Sequence, residues 1–197
     1  MPTDKLSLAI TTVEMEVRSF AENLTPAQWL WRPETGEWSM AQCLDHLVKV
    51  GFAALPGMEA AITKIKIEGR RAPGQLRPSS PGYKPPHLIV YNPFDHKFVE
   101  MMSPNPPMKV PVPKRFLPSQ MPAIERETLP QFFKLQERLQ TCLDNSEGLD
   151  TLGVKVGSPV MPALKFSLAA FLEGTIQHQR YHWLQAKAVR ARKEFPG

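Results

Sequence analysis

Cysteine is nearly absent from this chain. Cys43 and Cys142 are the only two and lie far apart, so they form no disulfide framework and read as buried thiols of a reducing compartment. Long apolar runs are also missing: no stretch approaches the roughly eighteen residues of a membrane span. Met1 to Ala9 has no apolar core of the kind that a signal peptide needs, which makes the cytoplasm the expected location. Neither a P-loop pattern nor a Ser-His-Asp set is visible. Acidic residues are scarce between Gly69 and Pro122, where Asp95 and Glu100 face eight basic residues. The net charge of +5 comes entirely from that segment, and the remainder is close to neutral. A nucleic-acid-binding domain usually carries its charge as a stripe on an ordered element, so nucleic acid is not an expected partner.

What is present suits one domain with an insertion. The 197 residues are 42% hydrophobic, enough to build a core. Thirteen of the 21 prolines fall between Pro73 and Pro122, where no long helix survives the loss of amide donors. Leu88-Ile89-Val90-Tyr91 and Phe94 are too apolar for a solvated linker. Residues 69–122 therefore read as an ordered crossover draped over the rest, with a short strand or helical turn, and a disordered linker is the alternative.

Outside the crossover the pattern is helical four times over. Leu6, Ile10, Val13, Val17, Phe20 and Leu24 step by three and four, as on the inner face of a bundle helix. A second helix opens at Ser39 with capping-box spacing to Gln42, and its inward face runs Cys43, His46, Val50 and Ala53. A third opens at Thr128 with Gln131 in the same relation, and its seam is Phe132, Leu135, Leu139 and Cys142. The fourth runs from about Ser167 to Ala191, through Leu168, Phe171, Thr175, His178, His182, Gln185 and Val189. Four amphipathic helices with one long crossover between the second and third predict an all-α four-helix bundle.

Three of the five histidines occupy those seams. His178 and His182 stand one turn apart on one face, and His46 holds the matching inward position on the second helix. Buried imidazoles need partners for their polar nitrogens, and one divalent ion accepts three lone pairs together. The spacing suits hydrogen-bonded core histidines about equally well.

The motifs around them narrow the choice. Leu24-Thr25-Pro26 through Trp31-Arg32-Pro33, Glu37-Trp38-Ser39-Met40 and Asp45-His46-Leu47 resemble the DinB-like superfamily, as does the helix Gln177-His178-Gln179-Arg180-Tyr181-His182-Trp183-Leu184-Gln185. The likeness covers roughly residues 6–66 and 128–192, and the proline-rich middle departs from the shortest members. The resemblance implies an up-up-down-down bundle, often a homodimer, with one divalent metal ion on His46, His178 and His182. It also implies either metal-dependent hydrolysis or transfer to a small thiol such as bacillithiol or mycothiol.

Three neutral ligands leave an ion its full charge and an open position, the pattern of a catalytic site. Imidazole suits zinc, nickel, copper or iron, and zinc and nickel are the expected ions, with iron a further candidate. Water or a thiol taken up there would lose its proton more readily, so the ligand set does not separate a hydrolase from a thiol S-transferase. A metal-holding protein without turnover and a damage-response binding module complete the alternatives. The expected partner is a small-molecule substrate.

Other residues rank lower. Cys43 shares the face of His46 and reads as a core thiol. Gln185 is placed to hydrogen-bond near His182, whereas Glu173 falls off the seam and is no candidate base. Gly174 and Thr175 either leave room for a ligand or let helices approach. His87 and His96 are expected to meet solvent. Trp29, Trp31 and Trp38 read as packing anchors.

Overall fold

The computed structural model describes residues 3–33, 36–72, 91–108, 111–161 and 163–197. Those residues are mostly helical, as an all-α chain requires. In order they form α1 (Thr3–Asn23), α2 (Pro26–Leu30), α3 (Met40–Ile67), α4 (Pro93–Met102), α5 (Leu129–Ser146), β1 (Lys155–Gly157), β2 (Lys165–Ser167) and α6 (Leu168–Arg190). The four long helices share the core: α1 packs on α5 and α6, and α3 packs on the same two.

Local chemistry sets where the helices begin. The Ser39 hydroxyl accepts from the Gln42 amide, and the Gln42 side chain accepts from the Ser39 amide, each at 3.1 Å. That reciprocal cap starts α3 where its spacing predicts. Thr25 and Gln28 start α2 in the same way. The apolar stripe of α1 is buried at Leu6, Ile10, Val13 and Val17, with Phe20 half-buried, and Leu24 just past its end is buried as well.

Two local expectations are overturned. Thr128 does not cap α5: its backbone is helical (φ −65°, ψ −49°) and its side chain makes no cap bond. A π-helical turn, Ile124–Thr128, already leads into α5 and supplies the preceding carbonyls. On α3, Ala53 is exposed, whereas Ala54 and Leu55 are buried. Because α3 packs against both α5 and α6, it buries two adjacent stripes rather than a single heptad seam.

Within the crossover, α4 and a 3-10 turn at Lys114–Phe116 are described. His87, Leu88, Ile89 and Val90 lie outside the described residues, and His96 is exposed. Helix α4 lies against α6, and Gly174 permits the approach: a Cβ there would sit 2.5 Å from Cε1 of Phe98. The glycine is therefore explained by helix packing and not by ligand space. Phe98 in turn stacks on Phe166 and Phe171, with centroids 3.9 and 5.8 Å away.

One carboxylate fixes α4 to the start of α6. Asp95, 1% exposed, accepts the Ser167 amide at 3.0 Å, Lys155 at 3.2 Å and Asn92 at 2.7 Å. Burial pushes its carboxyl up, but the Ser167 amide and hydroxyl and Lys155 together outweigh burial and hold it below the usual carboxylate range. Ser167 is itself the N-cap of α6, accepting from Ala170 at 3.2 Å. Asp95→Ala would leave the buried Ser167 amide without an acceptor, and the expected loss is roughly 1–3 kcal/mol in denaturant unfolding. An unchanged unfolding midpoint would show that the carboxylate does not hold the two helices together.

Candidate metal centre

The structure brings His46, His178 and His182 together. One ring nitrogen from each lies within 4.8 Å of the other two. His46 and His182 are buried and His178 is partly so, with ring centroids 4.6 to 5.3 Å apart. The 3.6-residue period of α6 stacks its two histidines on one face, and the contact between α3 and α6 supplies the third.

Hydrogen bonds on the far side of two rings decide which nitrogen faces inward. His46 Nδ1 lies 2.7 Å from the Phe116 carbonyl, which can only accept, so the proton sits on Nδ1 and Nε2 keeps its lone pair. His182 Nδ1 donates in the same sense to Gln185 Oε1 at 3.0 Å. Nε2 of His182 then faces Nε2 of His178 at 3.1 Å, a separation that only a shared proton or a cation makes favourable. Two nitrogens on a tetrahedral ion with bonds of about 2.0–2.1 Å stand roughly 3.3 Å apart. The donor set therefore fits a divalent ion in element, protonation and spacing.

Burial works in the same direction. It pushes the His178 imidazole from 6.5 down to about 3, with the neighbouring His46 adding to the effect. His182 is lowered well below its ordinary value by burial and then by the other two rings. His46 is lowered by burial, with the bond to Phe116 opposing. Neutral imidazoles keep the lone pairs that a metal requires.

Two contributors were not legible as site residues. Trp38 stacks on His182, centroids 5.6 Å apart and planes at 20°, and its ring lies 5.0 Å from His46. Its place beside the Ser39 cap hinted at packing alone. Phe116 acts through its carbonyl, so its side-chain identity gave no signal. The stretch that carries it is held on α3 by four polar side chains. Asp45 accepts the Ser119 amide at 2.6 Å, Gln42 donates to the Ser119 carbonyl at 3.1 Å, and Lys49 donates to the Leu117 carbonyl at 3.0 Å. His46, in the midst of these, completes the set.

The lower-ranked residues fall as follows. Gln185 touches His182 directly, as stated. Cys43 is buried, its thiol pushed up to about 12 by burial, and it is not part of the histidine cluster. Glu173 is buried, accepts from the Tyr91 hydroxyl at 2.7 Å and does not face the cavity beside the histidines. Thr175 does face that cavity, though its hydroxyl donates to the Phe171 carbonyl at 2.8 Å. Trp29 is a fully buried anchor, and Trp31 packs edge-on against Phe195.

A model of the DinB superfamily matches residues 9–186, from the first helix to the last and through all three histidines. The chain belongs to the DinB superfamily. No curated protein and no solved structure gives a significant match. Among the described residues of this DinB member, no helix is long and apolar enough to cross a membrane.

The lowered imidazoles have a measurable consequence for the metal-free protein. Rings that stay neutral in the fold bind no proton there, whereas the unfolded chain takes protons up below the ordinary value of 6.5. The stabilising contribution of His178 is therefore complete above 6.5 and is lost progressively as pH falls toward about 3, and His182 acts in the same direction. The melting temperature should drop between about pH 7 and about pH 5, and His178→Gln with His182→Gln should flatten that slope. Equal slopes in both proteins would contradict the burial.

Proposed function

We propose that this DinB superfamily member is a metal-dependent enzyme that holds one divalent ion on His46, His178 and His182. Zinc and nickel are the favoured ions, with iron third. The observation that supports the reading is the pair of outward Nδ1 bonds, to Phe116 and Gln185, which leave Nε2 lone pairs directed at one point. A bound ion would supply a Lewis acid with an open coordination position. The chain's own residues would hold it, fix the ring planes and shield it from water, with Trp38 against two of the rings. Second partners of this kind raise ligand basicity and are worth roughly 10–100-fold in metal affinity.

The proposed frame is an up-up-down-down four-helix bundle, one domain over residues 1–197 with 69–122 as its insertion. Within the same proposal the protein is a cytoplasmic homodimer that acts on a small molecule, not on nucleic acid or membrane. The reaction is hydrolysis or S-transfer to a small thiol. The second reading, a metal-holding protein without turnover, is less favoured because a cavity opens directly on the histidines.

Protein purified without an affinity tag is expected to carry about one ion per chain by mass spectrometry. His46→Ala, His178→Ala and His182→Ala should each lose it while keeping their helical circular dichroism. Gln185→Leu should keep the fold but bind zinc roughly 10–100-fold more weakly. Absence of metal after reconstitution with zinc, nickel and iron would sink the proposal.

A further inference from the structure

The cavity beside the histidines has a volume of about 610 Å³, in the range of small-molecule sites. Its composition restricts what fits. His46, His178 and His182 lie at one part of the wall, and the remainder is largely apolar, with Val50, Phe94, Met101, Met108, Val160 and Phe166 as examples. Most of its polar groups are already engaged. Glu37 is paired with Arg192 at 2.7 Å, and the Ser158 hydroxyl accepts the Val160 and Met161 amides at 3.2 Å. Thr175 and Gln185 are bound to Phe171 and His182, as above. Lys97, itself solvent-exposed, and the polar ends of Tyr181 and Trp38 are the other polar groups on the wall, few beside its apolar lining. A polyhydroxylated or multiply charged occupant would have to leave most of its polar groups unpaired against this wall, at a cost for each.

The geometry points to an apolar, chain-like or aromatic ligand whose single polar head faces the three histidines. This rests on the proposed metal site for the head and on the cavity alone for the body. The methionines at 101, 102, 108 and 161 give the wall unbranched, polarisable side chains that can adapt to different apolar bodies. Most of that wall comes from α4, from Pro106, Met108, Pro111, Val112, Pro113 and Phe116, and from the loop and strands of the β1–β2 hairpin, outside the four long helices. The crossover and the β1–β2 hairpin together thus set the class of ligand, and the long helices set the chemistry at its head.

Two probe series test the idea on zinc-reconstituted protein by calorimetry. The first is n-alkyl hydroxamic acids from acetohydroxamic to octanohydroxamic acid, and the second is n-alkanols, which lack a strong metal-binding head. Affinity should rise in both series by about fourfold per methylene while the chain still finds apolar wall. Val50→Trp and Met101→Trp, filling the cavity from α3 and from α4, should each abolish the gain for long chains and leave acetohydroxamic acid binding intact. Either variant suffices if the other fails to fold. A gain with alkanols but no advantage of the hydroxamate head would support the apolar cavity and count against the metal reading alone. Hydroxamates that bind through the histidines, as shown by loss in His178→Ala, but with no dependence on chain length, would overturn the inference and leave the metal reading standing.

Discussion

Three imidazoles within 4.8 Å of one another, two of them buried and one partly so, create a demand that protein atoms meet only in part. Each ring brings two nitrogens, and a neutral ring has one donor and one acceptor to place. The Phe116 carbonyl and Gln185 take the donors of His46 and His182, so the surplus is of acceptors, crowded on the inner side. A site with excess lone pairs and depressed proton affinity attracts a cation that cannot be displaced by simple protonation near neutral pH. Much of the neighbouring architecture can be traced to that surplus. Trp38 covers two rings, and the residues around Phe116 are tied down on α3 so that one carbonyl stays in place.

The crossover has two roles in consequence. Its segment around residues 116–120 acts as an orienting strap for a helix far away in sequence, and its α4 segment walls the adjoining cavity. Proline suits the first role. A chain that must follow a surface without helical hydrogen bonds loses less entropy on ordering when φ is already restricted. Among the described residues of the segment, the basic side chains Lys97, Lys114 and Arg115 are exposed and none is hydrogen-bonded to a histidine.

Legibility in the sequence followed the type of interaction. Ser39 and Gln42, the apolar steps of α1, and the i, i+4 histidines are encoded by side chains at short range, so spacing alone placed them. The convergence of His46 with the other two was readable only as far as both helices had a core-facing phase. What stayed hidden was long-range or carried by the backbone. Nothing in the identity of Phe116 announces that its carbonyl will orient a histidine, and nothing at Trp38 separates an anchor from a ring cover. The π-helical turn before Leu129 moved the helix start away from a well-formed Thr128–Gln131 cap signal. Ala53 was misplaced because a helix with two neighbours does not keep to one stripe.

The cap of α6 also acts as a phase reference. Ser167 is held by Asp95 from another part of the chain, and the helix is counted from that point. His178 and His182 lie roughly three and four turns farther along. A slip of one residue at the start would turn both rings by roughly 100° and carry them off the shared point. The carboxylate on α4 therefore works as an indexing pin: it sets the angular position of two imidazoles through the stiffness of the intervening helix, without touching either.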